Sequence, residues 1–475
     1  MTETKRKIGV GTLWNLFNSF GVSFINLIVT LSIASILSPD AFGVIAICLF
    51  FVQLADVLVE SGFGKAIIQK GMFEHKDINS VFLFNLCVSL CLYITICLCS
   101  DYISFVYDNT IFSSILPVIG LTIVFNSFKV VPVAVLSLSM NFKLQAYCTL
   151  IGTIISSIIA LYLVKAGFGI WSLVVQSVVA SLVTSLSLLF VSSWRPGLGF
   201  SRSSLVSLWP YSSNLLMEGF LGALFQNSYP LLISGFIGAE LAGIYFLARR
   251  IAVTISEQVS KAVSLATFPY YSKLKSNPIL LKENYRLMMV FLTFISTPIL
   301  IYFFVFSDVI FSYLLSNDWK GTSDVIMLFC VMALLRPMHT LNIQVFMVSG
   351  RSDMVLKLGL LKKAINFLIL LVSIYIESSI IGVVIGQIIG SVIGLFINIY
   401  YARLQVPYGF FEQFQDFSYS LIATLFCSTI VYLFLLPVFD LAWLIVGTGL
   451  FFMLYFVFYR FIFLGVFRRI LQLVF

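Results

Sequence analysis

Arg249 and Arg250 stand side by side inside an apolar stretch, AGIYFLARRIAVTISEQVSKAVSLATF, with Glu257 and Lys261 further along. An arginine at the centre of a membrane helix costs about 2.5–3.5 kcal/mol on the insertion scale, so a pair of them calls for partners. Glu257 lies four residues before Lys261 and is the expected partner of that lysine. Glu218, at a similar depth to Arg249, is the expected partner of one arginine. One of Arg249 and Arg250, together with Lys129 and Arg336, is then left as an uncompensated cation at membrane depth. A planar guanidinium fork suits phosphate oxygens, so this group is the candidate site for an anionic ligand. The alternative is that both arginines are locked into interhelical salt bridges.

Two further groups carry polar chemistry. Thr12, Asn15, Ser19, Ser23, Asn26 and Thr30 follow at helical spacings that keep them on one face. With Asn18, Glu218 and Gln226 they are expected to line a water-filled cavity, the competing reading being helix packing through small polar residues. Asp56 and Glu60, four apart on a face shared with Gln53, are the candidates for ion coupling, because adjacent carboxylates suit the binding of a proton or cation. Neither metal nor catalytic chemistry is indicated. His75 and His339 are the two histidines, and the eight cysteines lack zinc-type spacing and read as packing residues. No phosphate-binding G-x-x-x-x-G-K-[ST] loop is present, and no cofactor is expected.

The elements that must position these residues are membrane helices. Of 475 residues, 60% are hydrophobic and 10% charged, against roughly 25% charged in soluble domains. Fourteen apolar windows of spanning length can be placed, giving an all-α integral membrane fold with both termini on one side. In the loops and at the window ends, 18 Lys and Arg residues fall on one side and two, Lys165 and Lys320, on the other. The positive-inside rule makes the first side cytoplasmic. Lys362 and Lys363 are expected to snorkel toward it. The net charge of +8 therefore reflects topology and gives no reason to expect nucleic acid. Prolines within spans, such as Pro132 and Pro337, free a backbone carbonyl and mark expected bends.

A weak repeat relates the halves. ILSPDAFGVIAI (36–47) resembles FIGAELAGIYFL (236–247) at an offset of 200, pairing Asp40 with Glu240, Gly43 with Gly243, Asn18 with Glu218 and Asn26 with Gln226. A second pairing aligns Gln176 with Gln387. This predicts two parallel six-helix lobes related by pseudo-two-fold symmetry, residues 1–203 and 204–403, followed by two further helices in 404–475, with the substrate site between the halves.

LSPDAFGVIAI after the first helix, ESGFGKAIIQKG after the second and the GFGIWSLVVQS turn into the sixth resemble polysaccharide-export flippases of the Wzx or WzxC type, in the MATE-like (MOP) superfamily. The resemblance spans nearly the whole chain. It implies a V-shaped pair of lobes, alternating access, and a substrate that is an undecaprenyl-diphosphate-linked oligosaccharide, an O-antigen or exopolysaccharide repeat unit, moved from inner to outer leaflet. It also implies residence in a bacterial inner membrane, contact with membrane lipids, and a polysaccharide polymerase and other assembly proteins as partners. No enzymatic activity is implied. Related peptidoglycan-precursor flippases place arginines on the first helix, where this chain has Asn15, Asn18 and Asn26. A cation-coupled multidrug exporter of the same superfamily is one alternative, disfavoured by the basic surplus at membrane depth. A membrane polysaccharide polymerase is another, disfavoured by short outward loops.

Overall fold

In the computed structural model, residues 2–60, 62–70, 75–197, 199–274, 277–377, 379–435 and 441–462 are described. Within them lie sixteen α-helices, α1 (Thr2–Ala34), α2 (Pro39–Glu60), α3 (Phe63–Lys70), α4 (His75–Val106), α5 (Ile111–Leu138), α6 (Phe142–Lys165), α7 (Trp171–Val191), α8 (Arg202–Phe236), α9 (Ala239–Leu274), α10 (Pro278–Leu314), α11 (Thr322–Leu334), α12 (Arg336–Val348), α13 (Ser352–Glu377), α14 (Ile380–Ala402), α15 (Phe410–Leu435) and α16 (Leu441–Ile462). No strand occurs among the described residues. Lipid offers no hydrogen bonds to the backbone, so a chain this apolar satisfies its amides and carbonyls within helices. Eleven spans among the described residues are long and apolar enough to cross a membrane, α11 and α12 together counting as one. Three other long helices, α8, α9 and α13, have 35, 36 and 26 residues. Between α2 and α4, Phe63–Lys70 form the short helix α3. Phe63, Ala66 and Ile67 bury its apolar face against a core of Phe82, Val131 and Trp194.

Side-chain caps start several helices. Asn277 accepts from the Leu280 amide at 3.1 Å, with Pro278 at the first helical position, and Ser379 accepts from Gly382 at 3.0 Å. Arg195 closes the end of α7 by donating to the carbonyls of Leu189 (2.8 Å), Phe190 (3.1 Å) and Trp194 (3.0 Å). The segment after α7 is pinned to the start of α4, where the Trp194 indole donates to Asn79 (2.9 Å) and the Ser201 amide to Ser80 (2.6 Å).

The chain divides into two compact units, Met1–Phe246 and Leu247–Phe475. In the first, α4 packs on α5, α6 on α7 and α1, and α2 on α5 and α8. The repeat motifs meet inside this unit. A Cβ on Gly43 would collide with the Ala239 carbonyl, and one on Gly243 with the Pro39 carbonyl. The two contacts interchange under the offset of 200, so α2 and α9 cross at their first turns through a local two-fold, backbone against backbone. In the second unit, α10 carries α11 and α15, α13 packs on α14, and α15 on α16. Arg286 of α10 donates to both Asp416 oxygens at 2.8 Å, and the Tyr408 hydroxyl donates to the same carboxylate at 2.8 Å. Beside it, Asn342 and Gln413 exchange amide hydrogen bonds at 2.8 and 3.1 Å.

Candidate functional site

In the first unit, α1 packs on α6, with Trp14 edge-on to Tyr147 at 5.3 Å and Gly21 facing Leu150. At 100° per residue, Asn15, Ser19, Ser23 and Asn26 lie roughly 80–180° around the helix from that contact. The polar stripe therefore turns away from α6, which speaks against simple packing on that neighbour. Asn15, Ser19 and Asn26 are half-buried. Asn18 points closer to α6, and its buried carbonyl oxygen has no hydrogen-bond partner among the described residues. The side chain of Thr12 lies outside the described set. On α8, Glu218 and Gln226 are exposed.

Asp56 is half-buried on α2, one turn from the exposed Glu60. Its partner comes from α5: Asn126 donates from Nδ2 to both carboxylate oxygens at 3.0 and 2.9 Å. Lys129, one turn further along α5, donates from Nζ to Asn126 Oδ1 at 2.9 Å. Asn126 thus couples a carboxylate to an ammonium through a neutral amide. The expectation that Lys129 is uncompensated is corrected, because its charge is answered by Asp56 across Asn126. Spacing along the sequence gives Asn126 no partner, since helix pairing decides what it meets.

In the second unit, Arg336 opens α12. Pro337 has no amide hydrogen to give the carbonyl four residues back, that of Ala333, and the helix breaks between α11 and α12. Ser256 of α9 donates to the freed Ala333 carbonyl at 3.1 Å. The same register brings Glu257 against Arg336, and the two form a salt bridge. This corrects two expectations. Glu257 answers Arg336, not Lys261, and Arg336 is not an uncompensated cation. Lys261 itself is exposed on α9. Lower on α9, Gln344 of α12 donates to Thr267 Oγ1 at 3.0 Å and fixes the packing.

Arg336 stands at the middle of the span Thr322–Val348, yet its side chain is 41% exposed and that of Glu257 33%. Charged groups open to hydrocarbon at that depth are expensive, so a pair this exposed faces water. Arg249 and Arg250 are half-buried on the same helix as Glu257. Arg249 is within Coulombic range of Arg336 and makes no hydrogen bond or ion pair with the described residues of its own unit. The water-facing surface of α9 and α12 accordingly holds more positive than negative charge. No group of His, Cys, Asp or Glu among the described residues has the arrangement of a metal site.

Residues 33–324 match the family described as "Polysaccharide biosynthesis protein". The chain belongs to that family. Among curated relatives of this family member, "Lipopolysaccharide biosynthesis protein WzxC" of Escherichia coli (strain K12) is 23% identical over 74% of this chain and 72% of its own. "Succinoglycan biosynthesis transport protein ExoT" of Rhizobium meliloti (strain 1021) is 25% identical over 55% of this chain and 53% of its own. In fold, the family member is similar to "Lipid II flippase MurJ, inward closed conformation", with a TM-score of 0.76, 14% identity, and coverage of 96% of this chain and 99% of that one. It is similar as well to an inward-facing multidrug resistance MATE family transporter of the MOP superfamily, with a TM-score of 0.61, 16% identity, and coverage of 83% and 95%. The all-helical membrane fold read from the sequence is the fold of these transporters.

Proposed function

We propose that this protein is a flippase that moves undecaprenyl-diphosphate-linked oligosaccharide repeat units from the inner to the outer leaflet by alternating access. The observation that carries this reading is the water-facing cationic surface of α9 and α12. Arg336 is matched there by Glu257, while Arg249 stands beside it with no acidic partner among the described residues of its unit. A diphosphate supplies the missing negative charge, and guanidinium groups bind its oxygens in bidentate fashion. Relatives whose names assign them to lipopolysaccharide biosynthesis and succinoglycan transport support the substrate class. Arg249 and Arg250 are the primary diphosphate contacts, with Arg336 completing the charge. Lys129 belongs instead with Asp56 and Asn126 in the group that links transport to an ion gradient, with Glu60 one turn away. Asn15, Asn18, Ser19, Asn26, Glu218 and Gln226 provide the polar path for the sugars. The protein resides in the bacterial inner membrane with both termini cytoplasmic, and hands its cargo to a polysaccharide polymerase and associated assembly proteins.

The test is complementation of a strain lacking the gene. Arg249→Ala and Arg250→Ala are each expected to abolish surface polysaccharide and to accumulate lipid-linked repeat units, at unchanged membrane abundance. Lysine restores export in part, keeping the charge and losing the fork. Normal export and normal abundance with alanine at both positions would overturn the assignment.

A further inference from the structure

Outside the residues assigned so far, the second unit holds a hydrogen-bonded chain across three helices. Lys362 of α13 donates from Nζ to Asn398 Oδ1 of α14 at 2.7 Å. Asn398, fully buried, places its Nδ2 3.1 Å from Nδ1 of His339 on α12. The Nε2 of His339 lies 3.1 Å from Ser391 Oγ, again on α14. The donors can be assigned in order from the lysine. An ammonium only donates, so it fixes the Asn398 carbonyl toward itself and the amide NH2 toward the histidine. The NH2 also only donates, so His339 Nδ1 must accept. His339 is then the neutral tautomer with its proton on Nε2, donating to Ser391.

This arrangement aims Lys362 without neutralising it. Its side chain runs from the level of Gly394 to that of Asn398, one turn closer to the C-terminal end of α14. It turns onto α14, where Gly394 leaves room for the stem: a Cβ there would stand 3.2 Å from Lys362 Cδ and 3.8 Å from His339 Cε1. Asn398 uses one ammonium hydrogen, and the described residues supply Lys362 no carboxylate. The side chain is half-buried rather than sealed. Its charged neighbours carry the same sign. Lys363 acts on Lys362, and both Lys362 and Arg336 act on His339. Arg249, Arg336 and Lys362 thus follow one another through the unit, with Glu257 as the carboxylate among them.

We infer that Lys362 is a further contact for the phosphoryl oxygens of the lipid-linked substrate, and that Asn398 and His339 are positioning residues that hold its ammonium in place. The inference rests on the flippase reading and extends the anion site from α9 and α12 to α13. The neutral amide and imidazole suit this role. A carboxylate in either place would neutralise the lysine, and an apolar residue would release it.

The experiment measures binding of undecaprenyl diphosphate to the full-length purified protein in phosphatidylcholine nanodiscs, with undecaprenol and phosphatidylglycerol as controls. Wild type should prefer the diphosphate to undecaprenol. Lys362→Met should weaken diphosphate binding about tenfold, the loss of one charge-assisted contact, and leave undecaprenol unchanged. Lys362→Arg should keep most of the affinity. His339→Leu should weaken binding as Lys362→Met does, whereas His339→Gln, whose amide can accept from Asn398 and donate to Ser391, should retain it. These His339 variants keep Lys362 intact, so they test the inference even if Lys362→Met folds poorly. Wild type showing no preference for the diphosphate would overturn the flippase reading itself. A preference in wild type that Lys362→Met and His339→Leu both retain would overturn this inference alone. Equal loss of phosphatidylglycerol and diphosphate would mark a general anionic-lipid contact and overturn the assignment to substrate.

Discussion

At the scale of single residues, placement of charge depends on which helix faces which. Glu257 could serve Lys261 on its own helix or a cation on another, and helical spacing alone favours the local lysine. The break at Pro337 decides between them, because the carbonyl it frees is held by Ser256, one residue before Glu257. Breaking a fully buried ion pair costs about 3–5 kcal/mol, and an exposed pair contributes about 0–1 kcal/mol. The Glu257–Arg336 pair, a third or more exposed on each side, belongs between these limits. Glu257→Gln and Arg336→Gln should therefore each lower the thermal midpoint of the detergent-solubilised protein, and the double variant should recover part of the loss. Lys261→Gln should change little. Additive single effects, or a Lys261 effect as large as that of Arg336, would remove the pair. The arginines and Asp56 were legible in the sequence as costly groups at membrane depth. Their partners were not, because Asn126 and Glu257 find them across helices. The partner of Lys362 was hidden for the same reason. The available signals were the glycines at 382, 386, 390 and 394, which permit a neighbour to come close, and Asn366 one turn from Lys362.

Among the elements, hydrophobic length located the long helices, while their attachments required the structure. α15 and α16 illustrate this. Their apolar faces could equally meet lipid, and no periodicity says that they dock on α10. The attachment uses polar groups: Arg286 and Tyr408 on Asp416, Lys282 with Glu412 at 2.6 Å, and Tyr455 donating to the Phe294 carbonyl at 3.1 Å. Asp416 has a side chain only 4% exposed, against 39% for Arg286. Removing its charge leaves the arginine bonded to nothing ionic and the tyrosine hydroxyl with a weaker acceptor. The cost approaches the roughly 3–5 kcal/mol of a broken buried pair, reduced by the exposure of Arg286. Asp416→Asn should accordingly lower membrane abundance and expose the segment before α15 to protease. Asp353→Asn, in the open pair with Arg351 whose guanidinium holds that carboxyl below its ordinary range, should do neither. Equal behaviour of the two variants would show that α15 is held by its apolar contacts alone.

For the whole molecule, the repeat in sequence has a physical counterpart in one place, the crossing of α2 and α9 through Gly43 and Gly243. Asp40 and Glu240 occupy the first turns of those helices, where a carboxylate meets the positive end of the helix dipole. Matching chemistry at matching positions implies that both first turns lie on the same side of the membrane. The charge distribution says which side. With 18 Lys and Arg in the loops and at the helix ends of one face and two on the other, the positive-inside rule predicts that the sparse face is external. Orientation also bears on the proposed function, under which a lipid-linked substrate assembled at the inner leaflet would meet Arg249, Arg336 and Lys362 from the cytoplasmic side. Reporter fusions at Asn109 and Ser316 should therefore read as external, and a fusion at Arg351 as internal. An internal signal at Asn109 together with an external one at Arg351 would invert the protein. The same cations would then serve uptake from the outer leaflet, and export of repeat units would no longer follow from them. Opposite signals at Asn109 and Ser316 would instead show that the number of spans between them is odd, which would break the parallel relation of the halves.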